Sequence, residues 1–196
     1  MHNYGTDDPR TAAYGTIAVA AVVVSIAVNA AAEAVGAPPT WLVSAPAVAT
    51  SFGLIVAWFD RRGWRVPLLR SLGVSHLPDV EGVYEGGLVS TYDSSISIPV
   101  RITIEQTWSR IAIRLERLDE ATSTSRSLTA SMLWVGHDRV QLAYTYASEV
   151  RPGVADHDMT DHDGTAKLTI DFSEGVATGR YYNYRGRQGT LDLRRL

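Results

Sequence analysis

From Thr11 to Ala32, and again from Ala34 to Phe59, no side chain carries a charge, and Glu33 alone separates the two stretches. The first, TAAYGTIAVAAVVVSIAVNAAA, has about the 20 residues that a helix needs to cross the hydrocarbon of a bilayer. The second, WLVSAPAVATSFGLIVAWF, is of similar length, opens on Trp41 and closes on Trp58 and Phe59. Aromatic rings at both ends suit the membrane–water interface. Between the runs, Gly36, Pro38 and Pro39 form a turn that cannot continue a helix. The pattern predicts a transmembrane hairpin over 11–59, with helices at about 11–33 and 41–59, after an N-terminal tail of residues 1–10. A buried hairpin in a soluble core is the rival reading, but the rest of the chain has no apolar surface to cover two such helices. A cleaved leader is another, with Ala30 and Ala32 as its cleavage site. The run is too long for a leader's core, and it follows Asp7 and Asp8 with Arg10 as the one basic residue.

Charge sets the orientation. Arg61, Arg62, Arg65 and Arg70 follow the second run, whereas the inter-helix turn holds no Lys or Arg. Basic flanks stay cytoplasmic, so two crossings place both termini in the cytoplasm. Ala45, Ala49, Gly53 and Ala57 recur every fourth residue, and that spacing gives one helix face on which a second helix can approach closely, within the hairpin or between protomers. Neither run contains the buried charge pair expected of an ion pathway, which argues against a transporter.

Residues 60–77 read as a juxtamembrane linker, and beyond Pro78 the hydrophobic period changes to two. Val100, Ile102 and Ile104 alternate with Arg101, Thr103 and Glu105; Ile111, Ile113 and Leu115 with Ala112, Arg114 and Glu116. The same holds for Leu128, Ala130, Met132 and Trp134, for Leu142, Tyr144 and Tyr146, and for Ala166, Leu168, Ile170 and Phe172. Alternation of this kind marks strands with one buried and one wet face. Turn residues recur at Asp93–Ser95, Gly136–Asp138, Asp163–Gly164, Glu174–Gly175 and Arg185–Arg187. About eight strands with short connections over 78–196 predict a small antiparallel up-and-down β-barrel, able to enclose one small ligand. A sandwich would leave two sheet edges to protect. The fold class is therefore a membrane protein, helical at its start and all-β thereafter.

A net charge of −3 argues against DNA or RNA as a partner. The chain has no cysteine, which removes disulfides and thiolate chemistry. It contains no G-x-S-x-G, P-loop or H-E-x-x-H pattern, so the expectation is a binding protein rather than an enzyme. The stretch with Asp156, His157, Asp158, Asp161, His162 and Asp163 has ligand types for a divalent ion but the composition of a solvated acidic loop, and no metal site is expected there.

The order of several segments behind the hairpin resembles a known family. These are Pro78, Gly82, Tyr84 and Gly86; IEQTWSRIAIRLE from Ile104; Ser123, Ser125 and Ser127; LAYTY from Leu142; HDGT from His162; and GRYYNYRGRQGTLDLRR from Gly179. The chain is similar to the SMODS-associating, two-transmembrane, β-strand-rich effectors, the CD-NTase-associated membrane β-barrel proteins of CBASS anti-phage systems. The resemblance implies a bacterial inner-membrane effector without a cofactor. Its barrel binds a cyclic di- or oligonucleotide from a partner CD-NTase, and its helices then oligomerise and disrupt the membrane. Such a ligand calls for cationic donors on its phosphates and aromatic faces for its bases. Arg114 and Arg180, which lie mid-strand, are the first candidates; Arg110, Trp108, Tyr144, Tyr146 and Tyr182 follow. For Trp108, Tyr144 and Tyr146 core filling is the competing role, and for Arg185 and Arg187 a solvated turn. The alternative function is a membrane-tethered, lipocalin-like module for an apolar ligand, which would need a continuously apolar cavity.

Overall fold

The computed structural model describes residues 1–7, 10–36, 44–91, 93–119, 123–150 and 161–196. The chain divides into two compact units: Asp8–Leu77 is helical, and Met1–Asp7 joins Pro78–Leu196 in a β unit.

In the helical unit, α1 (Arg10–Ala34) and α2 (Ser44–Arg61) are in contact. Ala13, Ile17, Ala21 and Ser25, one α-helical turn apart, form the buried stripe of α1. Val19, Val23 and Ile26 are exposed, so the helix is apolar on all sides, the pattern of a segment meant for an apolar surrounding. Among the described residues, α1 is the one helix long and apolar enough to cross a membrane. Trp41–Val43 of the expected second span lie outside the described residues, and α2 as described runs from Ser44 into Asp60 and Arg61. Residues 60–77, read as a linker, contain the end of α2, a 3-10 turn (Gly63–Arg65) and α3 (Pro67–Ser71). Pro67 starts α3 because its fixed φ suits a first helical position. The Arg65 guanidinium lies over the Trp64 ring at 4.7 Å, and Arg70 Nη2 donates to the Leu77 carbonyl at 3.2 Å.

Nine strands occur among the described residues of the β unit. They are β1 (His2–Thr6), β2 (Gly82–Ser90), β3 (Asp93–Gln106), β4 (Arg110–Arg117), β5 (Ser123–Trp134), β6 (Arg139–Val150), β7 (His162–Asp171), β8 (Val176–Asn183) and β9 (Gln188–Arg195). From β2 to β9 each strand pairs antiparallel with the next, and β2 pairs with β9. The sheet closes on itself at β4 and β5. That last seam is divided. Near one end β4 and β5 pair directly, from Arg114↔Arg126 to Glu116↔Thr124. Beyond it β1 stands between them, antiparallel to β4 at His2↔Ile111 and parallel to β5 from Tyr4↔Ala130 to Thr6↔Met132. The N-terminal residues expected as a tail are thus the ninth strand.

Two local expectations also change. Asp163–Gly164 is not a turn but part of β7, whose backbone continues the ladder of β6; Asp93–Ser95 belongs to β3, where Asp93 pairs with Ser90 beside a register shift. In β5 the register shifts between Ser127 and Thr129, so Leu128 is extra, points outward and is 47% exposed. The bulge resets the parity, and Ala130 and Met132 then oppose Tyr144 and Leu142.

Inside the barrel, Ile102, Ile104, Ile111, Ile113, Leu142, Leu168 and Ile170 are buried, as their alternation requires. They fill the half of the barrel nearer the β3–β4 turn, where Trp108 is also buried. At that end the Gln106 carboxamide makes three bonds: Nε2 donates to the Tyr4 hydroxyl (3.2 Å) and the Pro78 carbonyl (3.0 Å), and Oε1 accepts from the Val80 amide (2.9 Å). Tyr4 Oη in turn donates to the Trp108 carbonyl at 3.2 Å. One buried side chain therefore ties down the strand before α1 and the segment that enters β2.

Candidate functional site

At the other end of the barrel the inward positions become small or polar: Ser123 and Ser125 on β5, Ser148 on β6, Gly164 on β7 and Gly189 on β9. Small side chains leave space. A cavity of about 760 Å³ occupies it, lined by the mouth-end halves of β2 to β9.

Aromatic side chains form one wall. Tyr144 and Tyr146 are each 7% exposed, and their ring centroids lie 6.4 Å apart at a 56° tilt. The ring of His162 meets Tyr146 edge-on at 6.4 Å. Tyr181 of β8 also faces the cavity. Glycines seat two of these rings. A Cβ at Gly164 would stand 2.5 Å from the Tyr146 ring, and one at Gly189 2.5 Å from the Tyr181 ring. The tyrosines can lie against the backbone because those positions have no side chain. Burial pushes the Tyr144 hydroxyl well above its ordinary range. Burial, with the neighbouring Tyr181, raises Tyr146 to about 12. Both phenols stay neutral at physiological pH, which keeps the wall free of negative charge.

Cations form the rim. Arg117, at the end of β4, donates from Nε to Asp119 Oδ1 at 3.0 Å and from Nη2 to Oδ2. This planar pair fixes the guanidinium and leaves Nη1 outside it. Arg185 and Arg187 come from the β8–β9 turn, where Gly186 has a φ of +73°. That left-handed residue turns the chain, and Asn183 holds the turn, its Oδ1 accepting from the Arg187 amide at 2.9 Å. Among the described residues, the rim carries three arginines and one aspartate.

The structure sorts the expected site residues by parity. Tyr144 and Tyr146 line the cavity. Arg110, Arg114, Arg180 and Tyr182 do not: they sit on the outer face, one residue out of step with Ile111, Ile113, Leu115 and with Tyr181. Trp108 is core at the opposite end. Arg185 and Arg187, weighed as a solvated turn, are lining residues, as are Tyr181 and Asn183 of the same C-terminal hairpin; Arg117 is a further lining residue that the sequence pattern does not single out. His162, of the acidic stretch, belongs to β7 and faces the cavity. Asp156, His157 and Asp158 of the acidic stretch lie outside the described residues. Of the small helix face, Ala49 and Gly53 are exposed, and a Cβ at Gly53 would meet nothing within 4 Å.

Residues 75–195 match a family model, described as Cap15, cyclic dinucleotide receptor domain. No match is found among curated proteins.

Proposed function

The chain belongs to the Cap15 cyclic dinucleotide receptor family, and from that premise we propose that its barrel takes up one cyclic dinucleotide in the cavity at its mouth. The observation that carries this reading is the cavity's chemistry: Arg117, Arg185 and Arg187 surround a space walled by Tyr144, Tyr146 and Tyr181. A cyclic dinucleotide presents two phosphates and two flat bases. Each charge-assisted hydrogen bond to a phosphate contributes about 1.5–3 kcal/mol. Each base stacked on an aromatic ring contributes about 1–3 kcal/mol. The volume falls within the range of roughly 300–1,000 Å³ typical of small-molecule sites. An apolar-ligand module would need a continuously apolar lining, which the arginines and serines interrupt. The role is recognition rather than catalysis.

In this reading the protein is a CBASS anti-phage effector. α1 and a completed second span form a two-helix hairpin in a bacterial inner membrane. Arg61, Arg62, Arg65 and Arg70 keep the barrel and both termini in the cytoplasm. Ligand-loaded barrels oligomerise, and the helices then disrupt the bilayer. The apolar circumference of α1 supports the membrane step, and the open face at Ala49 and Gly53 supports close helix approach between protomers. Ligand drives assembly only if it binds the assembled state more tightly than the free one.

Reconstitution tests this function. Full-length protein in phosphatidylethanolamine–phosphatidylglycerol vesicles is given cyclic di-GMP, cyclic di-AMP, cyclic GMP–AMP or palmitate, and release of an entrapped dye is followed. Release with a cyclic nucleotide and none with palmitate is expected. Tight palmitate binding, with no cyclic nucleotide bound, would favour the apolar-ligand module.

A further inference from the structure

The divided seam of the barrel connects the cavity to the N-terminal strand through consecutive rungs. Leu115 and Ser125 line the cavity and are register partners on β4 and β5; Arg117 and Ser123 line it one step nearer the mouth. The next rung inward is Arg114↔Arg126, two like charges placed directly opposite, and like charges so placed push strands apart. Arg126 is held to Glu149 at 3.1 Å. One step further the ladder stops. There Ile113 N donates to Ser127 Oγ at 2.9 Å, a side-chain bond where a backbone rung would otherwise continue. The same hydroxyl is bonded to His2 Nε2 at 2.8 Å. Ser127 therefore marks the fork, and β1 fills the gap beyond it.

We propose that β1 is a removable strand through which the cavity signals: ligand bound across β4 and β5 stabilises the paired rungs Leu115↔Ser125 and Arg114↔Arg126, and the ladder that extends from them displaces β1. This rests on the cyclic dinucleotide reading of the cavity and adds its means of regulation. The two states compete for the same backbone groups of β4 and β5. Inserted β1 uses few of them, at His2↔Ile111 and Asn3↔Arg110 on one side and Tyr4↔Ala130 to Thr6↔Met132 on the other. The zipped state would satisfy them within the seam, starting with Ile113 opposite Ser127. Because α1 begins at Arg10, release of β1 changes how the chain before the apolar helix is held. Release of β1 breaks the bonds of Tyr4 to Gln106 and to the Trp108 carbonyl, and β4 and β5 then close over the gap it leaves.

The cysteine-free chain allows a direct trap. Gly5 and Ser131 are register partners, and a Cβ at Gly5 would lie 3.7 Å from Ser131 Cβ, within the span a disulfide bridges. Full-length Gly5→Cys/Ser131→Cys protein in detergent is titrated with cyclic di-GMP, cyclic di-AMP and cyclic GMP–AMP, oxidised and after dithiothreitol. By reciprocity of coupled equilibria, locking β1 in place should weaken ligand affinity by about fivefold or more, reversibly. Arg114→Glu, which converts the repelling rung into an attracting one, should tighten it, by up to about fivefold for one cross-strand pair. Equal affinity in the oxidised and reduced forms, or a weaker Arg114→Glu, would overturn the proposal. Binding of none of the three ligands to the reduced protein would instead overturn the receptor reading, and this one with it.

Discussion

The Tyr146 ring rests on the backbone of Gly164, its cross-strand partner, at a distance that leaves no room for a methyl group. The contact joins two elements of one site. β6 supplies the aromatic face, and β7 supplies the gap that lets the face lie flat along the cavity wall. A glycine within a strand ordinarily weakens it; here it makes room for the Tyr146 ring and for the Tyr182 carbonyl of β8.

Gly164→Ala should therefore act on the site and on the fold together. The added methyl must push Tyr146 off its seat and also crowd the Tyr182 carbonyl of β8, and overpacking of this kind costs about 1–3 kcal/mol. Denaturant unfolding should register that loss. Calorimetric titration with cyclic dinucleotides should show weaker binding, whereas Gly175→Ala, outside the cavity, should leave affinity unchanged.

Gln106 predicts a different failure. Gln106→Met keeps the volume but removes the partner of Val80 N and the donor to the Pro78 carbonyl and Tyr4 hydroxyl. Each buried group left unpaired costs about 1–3 kcal/mol. The midpoint of thermal unfolding should fall clearly, and amide exchange at Val80 and in β1 should accelerate before exchange in β6.

Asp171 sets an acid limit. Its carboxylate accepts from Ser173 and Arg139, and these bonds hold its pKa down at about 2, against 3.8 for the free side chain. A depressed carboxylate stabilises the fold above the unfolded value and loses that contribution as pH falls through the folded one. Stability should drop between about pH 4 and pH 2, and Asp171→Asn should flatten that part of the profile in acid unfolding followed by circular dichroism.

Tyr146 sets an alkaline limit by the opposite sign. Its hydroxyl, raised to about 12, stabilises the fold fully below the unfolded value of 10 and ceases to do so as pH climbs toward 12. Spectroscopic titration of tyrosinate should find more than one late-ionising phenol, and Tyr146→Phe should remove one of them while that of Tyr144 remains. A normal titration for every tyrosine would contradict the enclosed cavity wall.

Much of this architecture is legible in the chain, and the parts that are not have physical reasons. Period-two alternation marks β3, β4, β6 and β7, since each carries large apolar residues on one face. It also carries more than was drawn from it: the parity that buries Ile111, Ile113 and Leu115 sends Arg114 outward and Arg117 inward. On β8 the signal fails, because the inward residues before Tyr181 are Ala177 and Gly179, too small to announce a face. The bulge at Leu128 breaks the count on β5, and nothing in TSRSLTAS states where an extra residue falls. β1 escapes notice because HNYGT is short, has no alternation, and takes its partners more than a hundred residues away. The rim arginines come from a turn, where sequence pattern reports only that the chain reverses.

The most direct measurement is calorimetric titration of full-length protein with cyclic dinucleotides, comparing the native chain with Arg117→Ala/Arg187→Ala and with Arg180→Ala. Saturable binding of one ligand per chain is predicted, weakened at least about a hundredfold by the double substitution, which removes two charge-assisted contacts, and unchanged by Arg180→Ala. Equal affinity in the native and Arg117→Ala/Arg187→Ala proteins would contradict the account.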